Sequence, residues 1–129
     1  MIERISPPGA PAPRGPYSPA VRAGDYIFVA GQIPIDPYTG KVVTGDVQAE
    51  TRQVLTNIKT ILEGCGASME NVVRCGVYLT DAADFQAMNS VYAEFFGEAK
   101  PARTTIIVAA LPLKDAKVEI DAMAYKPLA

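Results

Sequence analysis

Histidine is missing from the chain. Its absence excludes Ser-His-Asp and Cys-His nucleophile systems, zinc sites of the His-Glu-x-x-His kind and histidine general bases. Chemistry must draw on carboxylates, arginine, tyrosine, lysine, hydroxyls, backbone groups or water. Cysteine is scarce, with only Cys65 and Cys75. Met1-Ile2-Glu3-Arg4 lacks the apolar core of a secretion signal. Two free thiols are therefore expected, as small hydrophobes rather than nucleophiles. No basic run occurs, and the net charge is −2. That argues against duplex nucleic acid as the main partner, because phosphate neutralisation dominates such binding. No stretch approaches the roughly 18 apolar residues of a membrane span. The expectation is a soluble, cytoplasmic protein. A phosphate-cradling glycine loop is lacking too: Gly64-Cys65-Gly66 follows a helix instead of opening one, and reads as its cap.

What is present fits a single domain, residues 1–129. Hydrophobic residues make up 49% and charged residues 20%, ordinary globular usage. A domain of this size buries only about two-thirds of its unfolded surface by itself. Its strands read as too continuously apolar for a sheet with one wet face, which points to self-association. Six of the eleven prolines fall between Pro7 and Pro19, so that segment is neither helix nor central strand. It reads either as a floppy tail of polyproline character or as a stiff loop presenting Gly15-Pro16-Tyr17-Ser18.

Tyr26 to Ala30 reads as a strand ending at Gly31-Gln32, where a glycine lets backbone or ligand approach closely. Lys41 to Thr44 reads as a short strand after a turn-rich excursion. Asp46 suits a helix N-cap, and Val47, Val54, Leu55, Ile58, Ile61 and Leu62 recur at helical spacing. Val72 to Leu79 is a further strand. Asp84 is placed to cap a second helix, Phe85 to about Phe96, whose aromatic positions read as core. Lys117 to Tyr125 alternates as a last strand. The order predicts a two-layer α+β fold, with two helices on one face of a mixed, mostly antiparallel β-sheet. The other sheet face is left to meet copies of the chain.

Candidate chemistry centres on Lys100-Pro101-Ala102-Arg103-Thr104-Thr105. Thr104 to Val108 is β-branched and reads as a strand buried on both faces, with Arg103 at its mouth. A guanidinium there can grip a carboxylate through two parallel hydrogen bonds, or be a solvated surface charge. The strand bearing Glu119 follows after a short turn and reads as its antiparallel neighbour. Tyr17, Arg103 and Glu119 can then converge at strand ends, within one chain or across a subunit boundary. A structural Arg103–Glu119 ion pair is the alternative.

Seven segments in order resemble the RidA (YjgF) family over nearly the whole chain. They are Gly15-Pro16-Tyr17-Ser18-Pro19-Ala20, Ile27-Phe28-Val29-Ala30-Gly31-Gln32-Ile33-Pro34, Gln53-Val54-Leu55-Thr56-Asn57-Ile58, Val77-Tyr78-Leu79-Thr80-Asp81, Asn89-Ser90-Val91-Tyr92, Pro101-Ala102-Arg103-Thr104-Thr105 and Val118-Glu119-Ile120-Asp121-Ala122. The resemblance implies a chorismate-mutase-like fold, assembled as a homotrimer with sites in the clefts between subunits. It implies hydrolytic deamination of enamines and imines such as 2-aminoacrylate, 2-iminopropanoate and 2-iminobutanoate, giving 2-keto acids and ammonia. Neither metal nor organic cofactor is implied. Arg103 takes the place of the substrate-binding arginine, Tyr17 of the loop tyrosine, Gly31 of the strand-end glycine and Glu119 of the acidic residue. Thr105 stands where many relatives carry cysteine, and Ala30 where serine is frequent. A longer turn before the last strand leaves Asp121 as the alternative to Glu119. The rival reading is a non-catalytic trimer that binds small carboxylates such as 2-keto acids. Ribonuclease activity, reported for some relatives, fits poorly with an acidic chain lacking histidine, and chorismate mutase rests on fold analogy alone.

Overall fold

The computed structural model describes residues 1–43 and 45–128. Asp46 starts the first helix as expected, its side chain accepting from the Ala49 N–H at 2.8 Å. This satisfies one donor that a helix start leaves open. Helix α1 (Val47–Gly64) buries the predicted stripe, with Val54, Leu55, Ile58, Ile61 and Leu62 fully enclosed. Its end is as read: Cys65 caps it and Gly66 follows at φ +82°. Helix α2 (Phe85–Phe96) also falls where expected, but Asp84 makes no side-chain cap bond. Asp81 instead caps the short helical turn before it, accepting from Ala83 N–H at 2.9 Å.

Six strands form one sheet: β1 (Ile2–Ile5), β2 (Ala20–Ala23), β3 (Tyr26–Gln32), β4 (Val72–Leu79), β5 (Ala102–Ile107) and β6 (Val118–Tyr125). Their order is β1-β2-β3-β6-β4-β5, with β4 and β5 parallel and every other pair antiparallel. Both helices pack on one face against Ile27, Val29, Cys75, Val77, Leu79, Val118, Ile120, Ala122 and Ala124. The opposite face keeps Tyr26, Phe28 and Tyr125 exposed. The expected strand Lys41 to Thr44 is reduced to one bridge between Val42 and Ile35, and Thr44 lies outside the described residues. Among those residues no helix is long and apolar enough to cross a membrane.

Two expectations about β5 are overturned. It is not the hairpin partner of β6 but pairs with β4 alone, at the sheet edge. Parallel pairing needs a long crossover, and α2 supplies it between β4 and β5. Residues 108–117 then pass the end of β4, where Val108 N–H reaches Leu79 O at 2.8 Å and Thr80 N–H reaches Lys117 O at 3.2 Å. As an edge strand β5 is also not buried on both faces in one protomer, and Ile106 and Ile107 are exposed.

The proline segment is a loop packed at both ends, its backbone stiffened by proline between them. Pro7 is buried against α1 so closely that a Cβ at Gly64 would overlap its ring. Pro19 is buried as well, and its carbonyl accepts from Ala30 N–H at 3.0 Å. In the first turn of α1, the Glu50 carboxylate, only 2% exposed, accepts from the Lys117 N–H at 2.7 Å and ties the 108–117 loop to the helix. Burial raises the Glu50 pKa. The folded state therefore favours the protonated acid. The destabilisation is absent below the unfolded pKa and grows as pH rises through the raised folded value. Glu50→Gln mimics the protonated acid, so its gain in Tm over the native chain should be larger at pH 7 than at pH 4. An equal shift at both pH values, read by thermal denaturation, would contradict this.

Candidate functional site

A bulge in β3 builds the centre of the site. Val29 pairs with Ala122 and Gln32 with Ile120, so Ala30 and Gly31 together oppose Asp121 alone. Such an extra residue bends a strand and re-aims its neighbours. Gln32 braces the bulge by donating to Ala30 O at 3.1 Å. Gly31 thereby comes against the side chain of Glu119, and any Cβ at position 31 would overlap that carboxylate. Only glycine leaves the acid where it lies.

Above this pair opens a cleft of about 420 Å³, lined by Arg14, Tyr17, Ala30, Gly31, Ile33, Pro112, Leu113 and Glu119. The proline loop supplies Arg14 and Tyr17. It closes on itself, with Tyr17 N–H on Gly15 O at 2.9 Å and Arg14 N–H on the Tyr17 hydroxyl oxygen at 3.1 Å. The Tyr17 hydroxyl accepts in that bond, so its own hydrogen stays free to donate. Tyr17 is 49% exposed at the rim.

Glu119 and Asp121 share the open sheet face, yet their surroundings differ. Asp121 is engaged, accepting from Gly76 N–H at 2.7 Å and from the Tyr78 hydroxyl at 2.9 Å. It lies under the sheet's own network and is committed to structure. Glu119 is half-buried and accepts no hydrogen bond from the described residues. Burial, and next the charge of Asp121, raise its pKa above the ordinary 4.5. A carboxylate that is desolvated, unpaired and facing a cleft is what a general base requires.

Arg103 is elsewhere. In register it pairs with Cys75, and Thr105 with Val77. Both partners are buried under the helices, so Arg103 and Thr105 belong to the helix-covered side of the edge strand. Glu119 pairs with Tyr78 and lies on the opposite face, with β4 between the two strands. The anticipated convergence of Arg103 with Tyr17, Gly31 and Glu119 does not occur within one protomer, and no Arg103–Glu119 ion pair forms. Instead the guanidinium lies 4.7 Å from the Tyr92 ring centroid and 5.7 Å from that of Phe85. These rings hold it through cation–π attraction, and among the described residues it pairs with no carboxylate. Among the described residues the one salt bridge is the exposed Arg52–Glu94 pair. Cys75, beneath Arg103, has its thiol pushed up to about 11 by burial. It is an inert core residue, as expected.

Sequence reasoning missed Arg14, Ile33, Pro112 and Leu113 as cleft walls. It also took Phe85 and Tyr92 for core alone, although they form the platform under Arg103. The available signal was Asn89: Phe85, Asn89 and Tyr92 share one helical stripe, and a polar residue there is out of place in a core. Its Oδ1 is buried and has no hydrogen-bond partner among the described residues, and the Tyr92 hydroxyl lies against Cys75 and Arg103.

The family model described as Endoribonuclease L-PSP matches residues 8–126. A RutC family protein of Pyrococcus horikoshii is 56% identical, over 98% of this chain and 99% of its own length. The protein named 2-iminobutanoate/2-iminopropanoate deaminase from Dermatophagoides farinae is 44% identical, over 92% of both chains. Among solved structures, RidA from the Antarctic bacterium Psychrobacter sp. PAMC 21119 superposes with a TM-score of 0.91 at 41% identity, covering 95% of this chain and 98% of that one.

Carboxyl titration by NMR tests the electrostatics directly. Glu119 should titrate above 4.5, and Asp121→Asn should move it back down by removing one like charge. Asparagine can still accept from Gly76 N–H and bond the Tyr78 hydroxyl, so the fold is retained. A Glu119 titration unchanged in the variant would show that Asp121 does not act on it.

Proposed function

The chain belongs to the Endoribonuclease L-PSP family, that of the RutC and RidA proteins, and we propose that it hydrolyses reactive enamines and imines of 2-amino acids. Substrates are 2-aminoacrylate, 2-iminopropanoate and 2-iminobutanoate; products are 2-keto acids and ammonia. The reading is supported by the names of relatives such as the Dermatophagoides farinae deaminase. The observation that carries it is the unpaired Glu119 carboxylate, raised in pKa and facing a cleft. We place the reaction in the cytoplasm and in a homotrimer.

The trimer answers the separation of the two half-sites. One protomer offers Glu119, Gly31 and Tyr17; the edge strand of its neighbour offers Arg103 and Thr105. Arg103 binds the substrate carboxylate through both terminal nitrogens. Tyr17 closes the cleft and donates its hydroxyl hydrogen. Backbone groups near Gly31 and Thr105 orient water and the imine nitrogen. Glu119 takes a proton from water as the oxygen bonds to the imine carbon, and passes that proton to the nitrogen as the C=N π bond opens. The carbinolamine then expels ammonia as its hydroxyl loses a proton and the C=O bond forms. Imines hydrolyse unaided, so positioning and proton transfer are sufficient help. Thr105 in place of cysteine costs nothing here, because no thiol takes part.

Glu119→Gln should lower kcat/KM on 2-aminoacrylate, generated in situ by a dehydratase, by about 10²–10⁴-fold. Arg103→Ala should lower it by about 10²-fold through loss of a charged, bidentate contact. Co-expressing the two variants restores intact clefts wherever Arg103 of one chain meets Glu119 of another. Random assortment in a ring predicts recovery of about a quarter of the native sites. Mixed oligomers as inactive as their parents would refute the shared site. Binding of a 2-keto acid with no turnover of any imine by the native protein would favour the carboxylate-binding rival.

A further inference from the structure

Arg14 is the cation of the cleft that imine hydrolysis leaves without a task. It belongs to the proline loop and lines the same 420 Å³ space as Gly31 and Glu119. Its backbone is fixed by the 3.1 Å bond to the Tyr17 hydroxyl. Its side chain is exposed, and among the described residues its one hydrogen bond is a long 3.5 Å contact from Nη2 to Gly40 O. It joins no ion pair among them.

Two ordinary roles do not account for it. A counter-ion to Glu119 would pull that carboxyl's pKa down; the pKa is raised, and its causes are burial and Asp121. A structural clamp would be buried and bonded repeatedly, as Arg22 is, which reaches Gly24 O at 3.1 Å and Lys126 O at 2.9 Å. What remains is a guanidinium with most of its five donors unused, on a stiff loop, beside the apolar wall of Ile33, Pro112 and Leu113. The complement of that arrangement is a short aliphatic chain ending in an anion. A cleft within the usual range for small ligands, about 300–1,000 Å³, has room for more than a three-carbon acid. Charge matching agrees. The first carboxylate of a 2-imino acid is taken by Arg103, and a second would lie near Glu119, where only another cation makes it acceptable.

We propose that Arg14 is a specificity-determining residue that directs this cleft toward 2-imino dicarboxylic acids, binding the distal carboxylate of substrates such as 2-iminoglutarate. The assignment rests on the hydrolase reading above and adds a substrate class to it. Such imines arise by two-electron oxidation of acidic amino acids, so an oxidase or dehydrogenase reaction must supply them.

The experiment compares two imines made in situ by amino-acid oxidases, 2-iminoglutarate from glutamate and 2-iminopropanoate from alanine. The full-length native chain, Arg14→Leu and Arg14→Lys are assayed on both. The native protein should hydrolyse both. In Arg14→Leu the ratio of kcat/KM for the dicarboxylate over the monocarboxylate should fall by about 10–100-fold, the worth of one charged hydrogen-bonded contact. Arg14→Lys keeps the charge without the planar fork and should recover part of that ratio. An unchanged ratio in Arg14→Leu, an equal loss on both imines, or native turnover of the monocarboxylate alone would each overturn the role of Arg14 while leaving the hydrolase intact. No turnover of either imine by the native protein would instead remove the hydrolase reading, and this inference with it.

Discussion

The insertion of β6 between β3 and β4 is the constraint on which the rest of this protein depends. Side chains along a strand alternate between the two faces of the sheet, and adjacent strands lie about 4.8 Å apart. With β6 paired to β3 on one side and β4 on the other, β4 stands between the edge strand β5 and the strand that carries Glu119. Register then decides the faces: Arg103 follows Cys75 to the helix side, and Glu119 follows Tyr78 to the open side. No rotamer change in a single protomer undoes that. A carboxylate that wants a partner and an arginine that could be one are kept apart by covalent geometry and hydrogen-bond register.

The surroundings of Glu119 are nonetheless finished within the protomer. Glu119 is held in a half-buried position that raises its pKa, and the bulge at Ala30-Gly31 keeps a hollow beside it. Asp121, two residues away on the same face, shows the cheaper alternative: each of its oxygens accepts a hydrogen bond, from Gly76 and from Tyr78. The contrast separates a carboxylate that builds the sheet from one that is left free. In a chain with no histidine, desolvating a glutamate is the available way to move a base toward neutral pH.

How much of this was legible in the sequence follows from what each feature depends on. The two helices were readable because their caps and stripes are local: Asp46 and the Val54-to-Leu62 periodicity lie within one segment. The two-layer class followed from them. The topology was not readable, because a β-branched edge strand has the same composition as a central one, and Ile106 and Ile107 gave a false sign of burial. Strands β1 and β2 escaped notice for a related reason. Ile2–Ile5 has two charged residues in its middle, and Ala20–Ala23 carries Arg22, a buried arginine whose bonds to Gly24 O and Lys126 O appear only once the chain is folded. Arg103 stands out in the sequence, but its rings, Phe85 and Tyr92, are hidden in a pattern that also describes a core. Arg14 was invisible, because an exposed arginine among prolines has no sequence signal until a cleft is seen beside it.

These parts divide the site by mechanical character. The acid and its glycine are set by the sheet, through a bulge braced by Gln32 and buried neighbours on β6. A side chain added at Gly31 displaces that carboxylate. Arg14 and Tyr17 are set by a loop whose rigidity comes from proline and from seating on α1 at Gly64, with its far end pinned by the Pro19 carbonyl. A loop held at both ends tolerates side-chain replacement between the anchors, because those side chains bury little and bond little. In the proposed hydrolase the chemistry is thus placed where substitution is expensive, and the contacts proposed to choose among substrates where it is cheap. On that proposal, the same scaffold keeps its hydrolytic centre while the residue at position 14 alters what reaches it.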